Sequence, residues 1–124
     1  MITTTLKVQG KRVRKKLVVL VSAANSIVFP GIKDIIQNNH NYDFRIIGMD
    51  ASAADAKTFG IDSFYQVPMG GDEEAYITRV IEICEKENVD IILPISDEEN
   101  LALSANIKKF EEKNIIVFVN SYEA

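Results

Sequence analysis

At 124 residues, 47% hydrophobic and 26% charged, the chain has material for one domain with a real core and too little for two. No apolar run approaches the roughly 20 residues of a membrane span, and Met1 to Leu6 lacks the basic stretch and long apolar core of a secretory signal. A cytoplasmic protein with no membrane partner is the expectation. One cysteine rules out an internal disulfide, and a single histidine signals neither a zinc cluster nor a thiol–imidazole pair.

The net charge of −4 hides an asymmetry. Residues 1–16 carry Lys7, Lys11, Arg12, Arg14, Lys15 and Lys16 and no acid, which leaves 8 bases against 18 acids in the remainder. Clustered Lys and Arg suit phosphate neutralisation. The arm has no aromatic interleaving and the body is acidic, so nucleic acid is not an expected partner. A solvated leader, or a short polar edge hairpin turning at Gln9-Gly10 and guarded by its charges, is the plainer reading.

Leu17 to Val21 is continuous and β-branched, the pattern of a strand covered on both faces, and it predicts a parallel sheet between helical layers. Ser22-Ala23-Ala24-Asn25-Ser26 then forms a small-residue loop. The next helix starts at or just before Pro30, because proline has no N–H and cannot sit in a helix interior. Ile32, Ile35 and Ile36 continue it, and Asn38 to Asn41 stop it. Phe44 to Met49 is a second strand with Asp50 at its end. Ser52 to Phe59 reads as a weak helical crossover closed by Gly60, and Phe64 to Val67 as a third strand near a sheet edge.

Asp72 is placed to cap a helix over Glu73–Glu87, whose stripe of Ile77, Val80, Ile81 and Cys84 faces a core. Cys84 then reads as a buried, inert thiol. Val89 to Ile95 is a fourth strand. Ser96 and Glu99 have the spacing of a capping box, and the helix they open buries Leu103, Ile107 and Phe110. Ile115 to Val119 is a fifth strand. Strand and helix thus alternate five times, which predicts an α/β fold: a doubly wound parallel sheet in the order 3-2-1-4-5 with helices on both faces.

In such a sheet the ligand crevice lies beyond the strands' carboxyl ends, at the switch between the first and fourth strands. That address selects the loop Ser22 to Ser26 and the stretch Ile95 to Glu99, with Asp50 nearby. The first loop is not G-x-G-x-x-G, and no G-x-x-x-x-G-K-[ST] occurs, which argues against a dinucleotide site and a self-contained ATPase. Its amide and hydroxyls suit a carboxylate or phosphate near a helix amino end, or the loop merely permits the turn. Asp50, 19 residues after Gly31, falls near the place of a ribose-binding acid, but without the glycines a turn or helix-capping role is the simpler explanation. Asp97, Glu98 and Glu99 are suited either to Mg2+ or to their own helix dipole. His40, in a polar turn among asparagines, reads as exposed. A phosphoacceptor receiver is excluded, since the positions of its paired acids, its aspartate and its lysine hold Ser22, Pro68 and Asn120.

Taken together, Phe29-Pro30-Gly31-Ile32-Lys33, Ile46 to Asp50, Val67-Pro68, Asp72 to Cys84, Val89 to Glu99 and Asn120 to Ala124 resemble the amino-terminal, pre-ATP-grasp domain of ATP-grasp ligases. The resemblance is particularly to large-subunit carbamoyl-phosphate-synthase-like proteins. The resemblance spans Leu17 to Ala124 and implies a Rossmann-like domain at 17–124, cut from a longer protein, behind a basic arm at 1–16. It implies a ligase that phosphorylates a small carboxylate with ATP and Mg2+ and passes the acyl group to an amine or other nucleophile. This domain would hold neither cofactor and no catalytic residue or metal ligand, and its partners would be the remaining ATP-grasp domains. Its contribution would be one wall of the substrate cleft, with Ser22, Asn25, Ser26, Asp50, Ser96, Asp97 and Glu98 as the substrate-side residues. A second reading, from another class, is a free-standing Rossmann-like regulatory module that binds a nucleotide or metabolite.

Overall fold

A computed structural model describes residues 6–8, 11–13, 15–26, 28–53 and 60–119. Strands β1 (Leu6–Val8) and β2 (Lys11–Val13) form an antiparallel hairpin with Lys7 opposite Arg12. The hairpin matches expectation, and its turn residues lie outside the described ones. The main sheet is built from β3 (Lys15–Val21), β4 (Tyr42–Asp50), β5 (Ser63–Gln66), β6 (Ile91–Leu93) and β7 (Ile116–Val117). Its order is β5-β4-β3-β6-β7 and every pairing is parallel, which is the 3-2-1-4-5 arrangement counted from β3.

Side chains of β3 alternate between two cores, as the two-residue period of a strand requires. Val19 and Val21 join Ile46 and Phe29 of helix α1 (Phe29–Gln37) on one face. Leu20 joins Ile47 and Ile92 on the other, against Tyr76, Ile77, Val80 and Ile83 of α2 (Glu73–Glu87), Leu103 of α3 (Asp97–Ala105) and Phe110 of α4 (Ile107–Glu111). Helices therefore cover both faces of the sheet.

Several boundaries differ from expectation for identifiable reasons. The fourth strand shrinks to three residues. At its start the Asp90 carboxylate, rather than a carbonyl, accepts the Val18 N–H at 2.8 Å, and beyond its end Pro94 has no N–H to donate. The fifth is reduced to two residues, and the Val119 N–H turns back to the Val117 carbonyl at 3.1 Å. The helix expected after Ser96 breaks at Asn106, whose side-chain amide donates to the Ala102 carbonyl at 2.9 Å and competes with the backbone for that acceptor. Ile107 is consequently only half-buried. Asp72 stands at the N-cap of α2 without a side-chain capping bond, and the helix ends on Asn88 in the left-handed conformation, φ 55°. The crossover expected over 52–59 and the helix start at 120–124 lie largely or wholly outside the described residues, whereas Gly60 has the left-handed φ of 88°.

No helix among the described residues is long and apolar enough to cross a membrane.

Candidate functional site

Because every strand of the sheet runs the same way, the loops after β3, β4, β5 and β6 all emerge at one edge. The strand order reverses between β3 and β6, so the loops that follow these two leave in opposite directions and open a crevice. Ser22 closes its floor. Its N–H donates to the Leu93 carbonyl at 3.0 Å and its hydroxyl accepts the Ile95 N–H at 2.8 Å, a sideways continuation of the β3–β6 ladder that leaves Ser22 fully buried.

Ala23 follows with φ 49°, a left-handed value at which a Cβ is strained. The turn it makes sends Ala24 toward β4, where its N–H meets the Met49 carbonyl at 3.0 Å. Asn25 donates its N–H to Asp50 Oδ2 at 3.0 Å and its amide to Ser52 Oγ and the Ala53 carbonyl. Asp50 Oδ1 accepts both the N–H and the hydroxyl of Ser52. Asp50 thus organises the loops after β3 and β4 together. Asn25 Oδ1 and Ser26 Oγ are buried without a partner among the described residues.

On the other side Ser96 caps α3. Its Oγ accepts the Glu99 N–H at 3.4 Å and donates to Glu99 Oε1 at 2.5 Å, so the two ends of the capping box meet side chain to side chain. Glu99 is turned inward, 8% exposed, and its Oε2 accepts the Tyr76 hydroxyl at 3.3 Å. Burial pushes its carboxyl above the usual range, while hydrogen bonds from Ser96, Ser22 and Tyr76 pull the other way and Asp50 adds to the rise. Glu98 reaches outward to accept the Gly71 N–H at 2.8 Å. That contact fixes the loop after β5 against α3, and a Cβ on Gly70 would come within 3.2 Å of the Glu98 backbone.

These elements enclose a cavity of about 160 Å³ lined by Ala23, Asp50, Ala51, Pro68, Met69, Gly70, Ser96, Glu98 and Glu99. Of the residues singled out in the sequence, Asp50, Ser96 and Glu98 come together on it. Ser22 lies beneath, Asn25 bonds to the loop after β4, Ser26 donates its N–H to the Ala23 carbonyl within its own loop, and Asp97 is exposed at the first turn of α3. The loop Pro68 to Gly71 and the inward Glu99 were not anticipated. An all-parallel sheet places the third strand's loop at the same edge, and the spacing of the capping box puts Glu99 beside Ser96; those were the available signals. The cavity is open to solvent and smaller than the roughly 300 Å³ or more usual for ligand pockets. Among the described residues no three His, Cys, Asp or Glu side chains converge on a metal position. A larger cleft, about 390 Å³, lies at the opposite edge beside Cys84, Glu85 and Lys113. Burial there pushes the Cys84 thiol up to about 12, which leaves it without nucleophilic character.

An α/β domain of this order, with a crevice at its switch point and side chains from four loops facing it, is a Rossmann-like domain. Residues 18–118, most of the chain, match the family described as PylC-like, N-terminal domain, and the chain belongs to that family. It is the N-terminal domain of ATP-grasp-related ligases. The match begins inside β3 and leaves the β1–β2 hairpin outside it. No curated protein matches the chain.

Proposed function

We propose that this chain is the substrate-side domain of a carboxylate–amine ligase of the carbamoyl-phosphate-synthase-like kind, active only together with ATP-grasp domains. The observation that carries the reading is the small crevice at the β3/β6 switch, formed within a chain of this family. Among the described residues the cavity has neither the room nor the glycine pattern for ATP, and none of those lining it is a base for a phosphate. ATP and Mg2+ therefore belong to the partner domains, and no step through them is assigned to these residues. What this chain supplies is position: Ser22 and Ser96 hold the two loops at fixed separation, and Asp50, Glu98 and the loop after β5 shape the wall facing a small carboxylate substrate. The cytoplasm, where ATP is available, is the setting of such a reaction.

The test is the protein that contains this chain, sequenced through its reading frame and assayed for ADP release with a panel of carboxylates and amines. The 124-residue chain alone should release no ADP, and the protein with its downstream domains should. In that protein Glu98→Ala should raise KM for the small substrate and leave KM for ATP unchanged. A frame without ATP-grasp domains would sink the proposal. A rise in Tm of the isolated chain with ADP or NAD would support the free-standing module instead.

A further inference from the structure

The two edges of the main sheet are finished differently. At one edge β5 is guarded: Asp62 precedes it, Pro68 follows it, and the Gln66 side-chain amide is turned to the Ala51 carbonyl at 2.9 Å. Charges and prolines of this kind keep a sheet edge from pairing with another chain. At the other edge β7 lies in the run Ile115-Ile116-Val117-Phe118-Val119, which holds no charge and no proline. The N–H groups of Ile116 and Phe118 donate inward, to the Asp90 and Ile92 carbonyls. The Val117 N–H between them therefore points to the open edge, beyond which the described residues place no further strand.

Ile116 and Phe118 share one face of this strand and are 58% and 56% exposed. Ile116 stands beside its register partner Ile91, and the helix described on that face, α1, lies against β4 on the other side of β3. The edge is also self-complementary. About a two-fold axis at Val117, perpendicular to the sheet, an antiparallel second copy sets Val117 opposite Val117 and Ile116 opposite Phe118, the same pair twice. Residues opposed at such a point exchange both backbone bonds, and the Val117 carbonyl, which accepts the Val119 N–H at 3.1 Å, keeps a second lone pair for the exchange. Each Ile116–Phe118 contact sets an aromatic ring against a β-branched side chain, a favoured cross-strand pair. Charge points to the same occupant. After residue 16 the chain carries 8 bases and 18 acids, so most surfaces of two copies repel, and an uncharged edge is where they meet at least electrostatic cost.

We propose that β7 is a homodimer edge: it pairs antiparallel with β7 of a second copy of this chain across a two-fold axis at Val117, joining the two five-stranded sheets into one. A contact of about five residues a side is smaller than the roughly 800 Å² per partner of a standard interface, so the association is weak and concentration-dependent. The crevice lies between β3 and β6, one strand away from this edge, and the inference does not rest on the ligase reading.

The experiment follows the full 124-residue chain from about 20 µM to about 1 mM by sedimentation equilibrium and by amide hydrogen exchange read by NMR, a range suited to a weak interface. The mass should rise toward that of a dimer, and exchange at the Val117 amide should slow as concentration increases, with no such change over Ser63–Gln66. Phe118→Asp and Phe118→Lys, at an exposed position, should each weaken association at least tenfold with little change in Tm. Leu101→Asp, a charge placed on an equally exposed apolar residue of α3, should leave association unchanged and so separates a lost contact from an added charge. Val117→Pro removes the exchanged N–H and should abolish the dimer; if that variant unfolds, the two Phe118 variants decide. A monomer mass at every concentration, undiminished association in both Phe118 variants, or an equal loss in Leu101→Asp would each overturn the inference. So would a Val117 amide protected to the same degree at every concentration, because the edge would then be covered within its own chain.

Discussion

Gly48 sits near the end of β4, paired with Val21 on one side and Phe64 on the other, at a point where the sheet is packed by the loop that makes the crevice. A Cβ added there would stand 2.8 Å from Ile61 Cδ1, 3.0 Å from Ala24 Cβ and 3.5 Å from Phe64 Cδ2, against the 3.5–4.0 Å at which carbon atoms attract. The Ile61 methyl is the end of a flexible, half-buried side chain and can rotate away. Ala24 cannot, because it is fully buried and its N–H is bound to the Met49 carbonyl, one residue along β4. Relief therefore requires the loop after β3 to move by a few tenths of an ångström. Overpacking of this kind costs about 1–3 kcal/mol, and the smaller entropy of an unfolded chain with Ala instead of Gly returns about 0.4–1 kcal/mol. Gly48→Ala should destabilise the domain by about 1–2 kcal/mol. At roughly 3–6 °C per kcal/mol for a domain of this size, Tm should fall by roughly 3–12 °C in calorimetry, with a matching drop in urea midpoint at unchanged m. Gly31→Ala is the control: no atom lies within 4 Å of its added Cβ, and the position is helical, so stability should rise by about 0.5–1 kcal/mol. If Gly48→Ala is as stable as the native chain, or Gly31→Ala falls with it, the packing argument is wrong.

Two further outcomes follow from titrating groups. The Glu87 carboxylate receives the Tyr65 hydroxyl and the Arg45 guanidinium, the latter at 2.9 Å, and these hold its carboxyl below the ordinary 4.5. A depressed carboxyl contributes stability above its unfolded value that is lost as pH falls through the folded one; Glu87→Gln should cost about 1 kcal/mol at pH 7 and show a flatter decline below pH 4.5 in urea midpoints, and equal slopes would refute it. Cys84, with its thiol pushed up to about 12, should resist iodoacetamide at pH 8 in the native protein and react at the rate of unfolding; stoichiometric labelling of the folded chain would contradict its burial.

The legible parts of the fold are those written by local chemistry. Helix α2 runs over Glu73–Glu87 as its stripe and first-turn acids indicate, and the continuous apolar run of β3 does lie between two layers. Ser96 and Glu99 meet as a capping box should, although the contact runs through the two side chains. What local pattern does not carry is competition from afar. Asp90 shortens β6 by taking an N–H of β3, 72 residues earlier, and Asn106 breaks a helix whose apolar spacing continues through it to Phe110. The candidate site divides in the same way. Asp50, Ser96 and Glu98 were accessible because strand ends locate them, whereas Gly70 matters only through a 3.2 Å approach to Glu98 that no sequence spacing encodes.

The same division separates the acids of the crevice. Asp50 and Glu98 are each bound to backbone N–H groups, so their removal would reshape the loops after β3 and β5 as well as change the charge. The donors to Glu99 carboxylate oxygens are the side-chain hydroxyls of Ser96 and Tyr76 and not backbone N–H groups. A substitution at Asp50 or Glu98 therefore confounds shape with electrostatics, while Glu99→Gln changes the charge of the cavity floor at nearly constant volume. That difference makes Glu99 the position at which the charge of the crevice can be changed with the least change of its shape.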